Sequence, residues 1–403
     1  MPVPRPRLPG DLPREVWALS AVAFAVAIGF GIVAPAIPLF AQEFGVGATA
    51  AAAVVSAFAF MRLVFALAGG RLVDRFGERW VLATGLAIVA VSSLLAGLAQ
   101  TYTQLLVLRG LGGVGSAMFT VSAMSLLLRV ARPEQRGRAT SLWQAGFLVG
   151  GLAGPALGGI VATISLRAPF FVYAGTLALG GVVAVATLAG ARLRDDVGTG
   201  EGAPQRMTLG AALRRPAYQA ALVVNLGTGW ALFGVRSAVI PLFVADALGR
   251  GPFWVGIGFL VGSAAQAALL WPAARVVDAV GRRPAMLAGT VVTTAGVAAL
   301  ALWQTLPVFL VAMAVYGGGA AFLGAAPAAV VGDVVRGRGG TVVAAFQMSS
   351  DVGAVAGPLV AGWLIDGMSF GAAFWVTAAV LAVGTVLSVR MPETGVTTRV
   401  KRA

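Results

Sequence analysis

Four charged residues stand inside long apolar stretches of this chain: Arg62, Arg109, Arg236 and Asp351. Ionisable groups in such surroundings are costly and by default mark function. An arginine keeps its charge at any accessible pH, so it can hold an anion but cannot carry a proton. Asp351 is the only carboxylate well inside an apolar stretch, and a carboxylate can exchange its charge for a proton. A second set of charges runs Gly70-Arg71-Leu72-Val73-Asp74-Arg75-Phe76-Gly77-Glu78-Arg79. It returns 204 residues later as Ala274-Arg275-Val276-Val277-Asp278-Ala279-Val280-Gly281-Arg282-Arg283. A carboxylate following a helix, among arginines, can pair with them or accept N–H bonds at a neighbouring helix N-terminus. The repeat of Asp74 at Asp278, with Arg282 beside it, favours a charge latch over a merely solvated loop.

Other chemistries are excluded by residues the chain lacks. It has no cysteine and no histidine, and its only lysine is Lys401. A thiol nucleophile, a histidine base, a His/Cys metal site and the phosphate-binding lysine of an ATP-hydrolysing loop are therefore absent. No cofactor or metal is expected, and the chain does not read as an enzyme.

The elements that must position these charges follow from composition. Of 403 residues, 59% are hydrophobic and 11% charged, with mean hydropathy +0.90; soluble proteins carry roughly 25% charged residues. Only helices or closed barrels satisfy their backbone in lipid, and barrel strands alternate polar with apolar. The stretch 81–98 does not alternate. The apolar pattern predicts twelve helical spans, numbered 1 to 12: 17–40, 49–69, 80–98, 102–128, 140–164, 168–190, 220–245, 254–274, 285–303, 306–331, 341–364 and 370–389. The 55 glycines then read as close helix packing rather than loops.

Two further repeats lie 203 residues apart. Gly150-x-x-x-Gly154-Pro155-x-x-Gly158-Gly159 matches Gly353-x-x-x-Gly357-Pro358-x-x-Ala361-Gly362, and Ile37-Pro38-Leu39-Phe40 matches Ile240-Pro241-Leu242-Phe243. Three collinear matches make the chain a tandem duplication, a common architecture of secondary transporters. The expected organisation is a tail (1–16), a six-helix bundle (17–190), a linker (191–219), a second bundle (220–389) and a tail (390–403). Of 29 basic residues, 24 fall on the tails and even-to-odd loops and two on the odd-to-even loops, so the positive-inside rule puts both termini in the cytoplasm. The net charge of +14 is thus a topology signal, and no nucleic-acid partner is expected. Helix 1 is long enough to span, and no cleaved signal peptide is needed to explain the arginine-rich start.

These residues resemble the major facilitator superfamily along essentially the whole chain. Gly70 to Arg79 resembles the family's signature between helices 2 and 3, departing at Glu78, where a basic residue is usual. Leu105-x-x-x-Arg109-x-x-x-Gly113-x-Gly115-x-Ala117 resembles the helix 4 motif of proton-linked members. Gly150, Gly154, Pro155, Gly158 and Gly159, with Gly357 and Pro358 in the second copy, resemble the helix 5 motif of drug-exporting antiporters. The resemblance implies two six-helix bundles rocking around a cavity lined by helices 1, 4, 7 and 10. It implies that Gly70, Asp74, Arg75, Gly77, Arg79, Asp278 and Arg282 latch the halves in the outward-open state.

On those cavity helices lie Arg109, Arg236, Phe30, Trp230, Phe233, Tyr316 and Phe322, which as a set suggest an amphiphilic or aromatic substrate. For the two arginines the plain alternative is capping the carbonyls of a broken helix. Arg109 is expected to take part in coupling through its field. Arg62 lies eight residues before Gly70 and Asp351 ten after Thr341, depths of about 12 and 15 Å at 1.5 Å per residue. By resemblance helices 2 and 11 face each other, so the two are expected to pair across the halves; otherwise Asp351 bonds Ser349, Ser350 or Gln347 nearby. The expected function is a secondary transporter of the cytoplasmic membrane, exporting small amphiphilic or drug-like molecules in exchange for protons, in contact with lipid and as a monomer. An importer or exchanger of an anionic metabolite on the same fold, and a non-transporting membrane protein, are the alternatives.

Overall fold

The computed structural model describes residues 12–132, 135–188, 207–335 and 340–395. Residues 1–11, 133–134, 189–206, 336–339 and 396–403, which include most of both tails and of the expected linker, lie outside the described residues. Among the described residues every regular element is a helix, and twelve are long and apolar enough to cross a membrane. In chain order they are α1 (Arg14–Gln42), α2 (Ala48–Phe76), α3 (Glu78–Gly97), α4 (Tyr102–Val130), α5 (Arg136–Ile164) and α6 (Ala168–Leu188). The second half holds α7 (Pro216–Ala247), α8 (Pro252–Ala279), α9 (Arg282–Leu302), α10 (Leu306–Val335), α11 (Gly340–Gly367) and α12 (Phe370–Arg390). A short helix, Leu209–Leu213, precedes α7 and is capped by the Thr208 hydroxyl.

The helices form two bundles of six with two hydrophobic cores. One core gathers residues from Leu12 to Leu177 and Ala184, the other residues from Ala212 to Met391. Each core borrows from the other half: Leu242 of α7 packs into the first and Ala52 of α2 into the second. The repeated Ile-Pro-Leu-Phe segments build the matching corners. Phe40 stacks on Phe170 at 5.4 Å and Phe243 on Phe370 at 5.7 Å. Proline also shapes both helices. α1 breaks at Ala34 and Pro35, and α7 carries Pro241 and two π-helical stretches, Gly229–Val235 and Phe243–Ala247.

The helix ends correct the sequence reading. α2 runs on through Phe76, so Gly70, Asp74 and Arg75 belong to its last turns and not to a loop. The apolar pattern stops near residue 69, but Arg71-Leu72-Val73-Asp74-Arg75 keeps adequate helix propensity. The turn itself is Gly77 alone, at φ 78°, a value that favours glycine. Its repeat Gly281 ends the α8 segment at φ 137° in the same way. α7 likewise begins at Pro216, inside the stretch read as linker.

Candidate functional site

The chemistry-bearing residues gather along the seam between the halves. At the end away from the termini, here the distal end, two glycine contacts close it. A Cβ on Gly159 of α5 would stand 2.5 Å from the Gly256 Cα of α8, and one on Gly362 of α11 would stand 2.7 Å from the Thr49 Cα of α2. Polar contacts reinforce the closure. The Gln42 side-chain amide donates to Asp246 at 2.9 Å. Asp366, on the last turn of α11, accepts from the Ala48 and Thr49 N–H groups at 2.7 and 2.8 Å and from the Thr49 hydroxyl at 2.6 Å. A carboxylate thus caps the N-terminus of α2 from the opposite half, where orphan N–H groups and the helix dipole favour negative charge.

Deeper in, the Ser56 hydroxyl donates to the Val355 carbonyl at 2.8 Å. Next on α2 comes Arg62, whose guanidinium is ion-paired and hydrogen-bonded to Asp351. Neither is sealed: Arg62 is 39% exposed and Asp351 20%. Ser349 is engaged elsewhere, donating to Phe346 and accepting from Asn225 of α7. Among the described residues, Arg62–Asp351 is the last hydrogen bond between the halves on the way to the termini-side end.

The helix 5 motif divides its work. Gly150 and Gly154 lie against backbone of α1 at Phe24, Ile28 and Gly31, and Gly158 lies against Ile32. Pro155 packs on Gly31. Gly159, one residue on, faces the other half. The second copy repeats this: Gly353 and Gly357 lie against α7 at Leu226 and Trp230, Pro358 against Gly234, and Gly362 crosses to α2. Small residues let backbones meet here, as in membrane packing generally.

The expected latch residues lie at the termini-side end. Asp74 is exposed and, among the described residues, makes no hydrogen bond or ion pair. Arg75 lies over its neighbour Phe76 at 5.4 Å. In the second copy Arg282 bonds Asp278 at 3.3 Å, but it also bonds Asp333 of α10 at 3.0 Å and the Val277 carbonyl at 2.6 Å, all within its own half. In this arrangement Asp278 is part of a cluster inside one half; the latch is expected of the outward-open state. Arg79, too, is placed in the first turn of α3.

The departure at Glu78 now has a physical reason. Buried Glu78 at the start of α3 pairs with Arg129 near the end of α4 at 2.6 Å and accepts from Ser125 at 3.2 Å. Arg282–Asp333 is the same contact 204 residues on, with the charges exchanged. Reversing the first pair should therefore be tolerated. Glu78→Arg or Arg129→Glu alone leaves like charges together and should lower the yield of folded protein severalfold, while the double variant recovers it. A double variant no better than the singles, by size-exclusion yield, would show that the pair's position and not its charge matters.

Glu393, just beyond α12, completes the second cluster. It accepts N–H bonds from Arg282 (2.8 Å), Arg283 (3.0 Å), Thr394 (3.0 Å) and Gly395 (2.9 Å). Burial pushes its carboxyl up, but the N–H groups outweigh burial and hold it below the ordinary value of 4.5. A depressed folded-state value gives stability that is present above pH 4.5 and lost as pH falls through the folded value. Thermal unfolding of the wild type should steepen its decline below about pH 4.5, and Glu393→Gln should lose that component. Identical pH profiles for the two proteins would contradict this.

The remaining candidates separate into two clusters, one per half. Arg109 is 2% exposed, with its guanidinium 4.7 Å from the Phe58 ring. Phe30 joins it, 5.8 Å from Phe58 and 6.3 Å from Tyr173. Arg109 forms no ion pair with a described carboxylate, and its Nε has no partner, so the structure does not bring it to Asp351. In the other half Arg236 lies 4.8 Å from the Phe259 ring and 3.4 Å from the Ser263 hydroxyl. Neither arginine caps a described carbonyl.

The expected cavity aromatics lie in differing surroundings. The Trp230 indole donates to Thr377 of α12 at 3.2 Å, Tyr316 is buried in the core of its half, and Phe322 packs against Gly289 of α9. Of the five aromatics only Phe233 is exposed. Sequence reading also missed Glu78–Arg129, Asp333, Glu393 and the Asp366 cap. The first had a signal, since both of its positions repeat as charges at an offset of 204.

Comparison with known proteins agrees with this geometry. The model of the Major Facilitator Superfamily matches residues 19–265 and 222–402. Multidrug resistance protein 1 of Bacillus subtilis (strain 168) is 30% identical over 165 residues, 41% of this chain and 42% of that protein. Quinolone resistance protein NorA of Staphylococcus aureus (strain MRSA252) is 26% identical over 166 residues, with the same coverage. The matched stretch thus spans about two-fifths of the length of these relatives. Among solved structures, a bacterial homolog of the human lysosomal transporter Spinster, in an inward-facing and unoccupied conformation, superposes with TM-score 0.73 at 15% identity, covering 93% of this chain and 95% of that one. The nucleoside transporter NupG gives 0.71 at 14%, covering 94% and 99%. With twelve helices long and apolar enough to cross a membrane, in two pseudo-symmetric bundles, and a family match along nearly its full length, the chain belongs to the Major Facilitator Superfamily.

Proposed function

We propose that this transporter exports small amphiphilic molecules across the cytoplasmic membrane in exchange for protons, with both termini in the cytoplasm. The observation that carries the reading is the ion pair Arg62–Asp351 at mid-depth on the seam. The seam is held from the distal end down to this pair, while Asp74 at the other end is free. That arrangement is what a cavity open toward the cytoplasm requires. Rocking to the opposite state breaks the Asp366 cap and the Gly159 and Gly362 contacts and brings Asp74 to the N-terminus of α11. Asp351 then exchanges Arg62 for a proton, so that the carboxylate is never left charged and unpaired, while Arg62 keeps its charge. The relatives named for multidrug and quinolone resistance support small drug-like substrates.

Expression in bacteria stripped of their own efflux pumps tests the reading. The protein should raise the norfloxacin concentration needed to stop growth, and a protonophore should remove the protection. Unchanged sensitivity to norfloxacin and to a panel of amphiphilic dyes, with the protein present in the membrane, would count against export.

A further inference from the structure

The two sides of the distal closure are copies of each other, yet they are built differently. On one side the end of α11 meets the start of α2, with Gly362 against Thr49. On the other the end of α5 meets the start of α8, with Gly159 against Gly256. Gly159 and Gly362 lie 203 residues apart, and Gly47 and Gly251, which precede α2 and α8, lie 204 apart. Neither Gly47 nor Gly251 has a side chain to cap the helix that follows it. For α2 the cap comes from the opposite half. Asp366 accepts from the Ala48 and Thr49 N–H groups and from the Thr49 hydroxyl. Four residues past Gly159, at the copied position, stands Thr163. Its hydroxyl donates to the Ile160 carbonyl of its own helix at 2.7 Å. The copied helix α8 begins with Pro252, which has no N–H to offer.

The two sides therefore resist opening to different degrees. The α5–α8 side is backbone against backbone at two glycines, which is packing without a directional bond. The α2–α11 side cannot part until a carboxylate gives up two N–H groups and a hydroxyl. Hydrogen bonds to an ionised acceptor are the stronger kind, and this one also sits at the positive end of a helix dipole. The remaining polar tie at this end, Gln42 to Asp246, is a single exposed bond. It joins the same position of the two copies, 204 residues apart, and so belongs to neither side.

We infer that Asp366 is the latch of the distal gate, and that this end opens from its α2–α11 side while the α5–α8 glycine contact serves as the hinge side. The inference rests on the rocking motion of the transport reading. Asp366 touches no substrate in this role. It is a positioning residue that holds the start of α2, and its release sets how often the distal end opens. On release the N–H groups of Ala48 and Thr49 pass from the carboxylate to water, so the latch contributes about what a helix cap contributes and the gate stays reversible.

The chain has no cysteine, so a single introduced thiol reports alone. Ala52 of α2 is fully buried in the core of the second half, so Ala52→Cys meets a bulky maleimide only when α2 and α11 part. Its labelling rate, on purified full-length protein in lipid nanodiscs, follows the population of the open form. Asp366→Ala should raise that rate about two- to thirtyfold, the factor that a lost helix N-cap represents. Asp366→Asn keeps one acceptor and should fall between Asp366→Ala and wild type. Gly47→Ser should raise the rate too, because its Cβ would stand 2.9 Å from the Asp366 carboxylate and its hydroxyl would cap α2 from within its own half. It carries the test if Asp366→Ala does not fold. Thr163→Ala, at the copied position, should change nothing. Ala123→Cys, buried in the core of the first half, reports unfolding rather than gating and should label at one rate in every variant. An Ala52→Cys rate unchanged by both Asp366→Ala and Gly47→Ser, an equal rise in Thr163→Ala, or a parallel rise at Ala123→Cys would overturn the latch. Norfloxacin protection that persists in such a case would leave the transport reading standing. Asp366-dependent labelling in a protein that protects cells from nothing would do the reverse.

Discussion

Asp351→Asn loses gradient-driven transport and keeps its fold, while the exchange Arg62→Asp with Asp351→Arg regains folding better than either single reversal. Asparagine occupies the same space and still accepts a bond from Arg62, but it cannot alternate between a charge and a proton. The pair is partly exposed, with Arg62 at 39% and Asp351 at 20%. The cost of stranding Arg62 is therefore about 1–2 kcal/mol, well below the 3–5 kcal/mol of a sealed pair, and the variant remains folded in a protein of ordinary stability. Arg62→Asp alone sets two carboxylates together and should be the most damaging single change. Uptake driven by an imposed pH gradient separates the roles. Asp351→Asn should show less than about a tenth of wild-type uptake, the tenfold loss that 1.4 kcal/mol represents. If both single variants transport normally, neither the pair nor the proton role survives.

Gly159→Leu and Gly362→Leu shift the equilibrium away from the distally closed state. Their missing side chains let α5 approach α8 and α11 approach α2, with hypothetical Cβ atoms 2.5 and 2.7 Å from facing backbone. Backbone cannot step aside as a flexible side chain can, so relief comes from separating the halves. Overpacking costs about 1–3 kcal/mol, a shift of about five- to over a hundredfold at 1.4 kcal/mol per decade. Asp74→Ala should act in the opposite sense, by weakening the state in which the termini-side ends meet. Double electron–electron resonance between labels at the ends of α2 and α11 reads both. The termini-side distance should shorten in the glycine variants and lengthen on average in Asp74→Ala. Distance distributions matching the wild type in all three would remove the rocking account of these residues.

Twelve spans and two halves were legible because lipid imposes them: hydropathy marks the helices, and three repeated motifs mark the duplication. The Arg62–Asp351 contact was legible for a related reason. Lone charges of opposite sign at equal depth on helices that face each other have few other remedies. Helix phase was not legible. Trp230 and Phe322 lie on the expected helices, yet both serve packing inside one bundle, because each helix also has faces turned toward its own bundle. The end of α2 was missed because hydropathy reports lipid and not helix: the polar turn Arg71–Arg75 is helical outside the apolar stretch. The Asp366 cap escaped because a carboxylate at a span's end resembles any loop charge until the N–H groups of Ala48 and Thr49 are placed beside it.

Purified protein in liposomes, loaded with a pH-sensitive dye and given norfloxacin on the cytoplasmic side, tests the exchange itself. Wild-type protein should move protons out as drug enters the vesicle lumen by way of the exporter's forward cycle, in proportion to drug and in the direction opposite to it, and Asp351→Asn should move neither against a gradient. Drug flux with no accompanying proton flux, or proton-coupled flux undiminished in Asp351→Asn, would contradict the account.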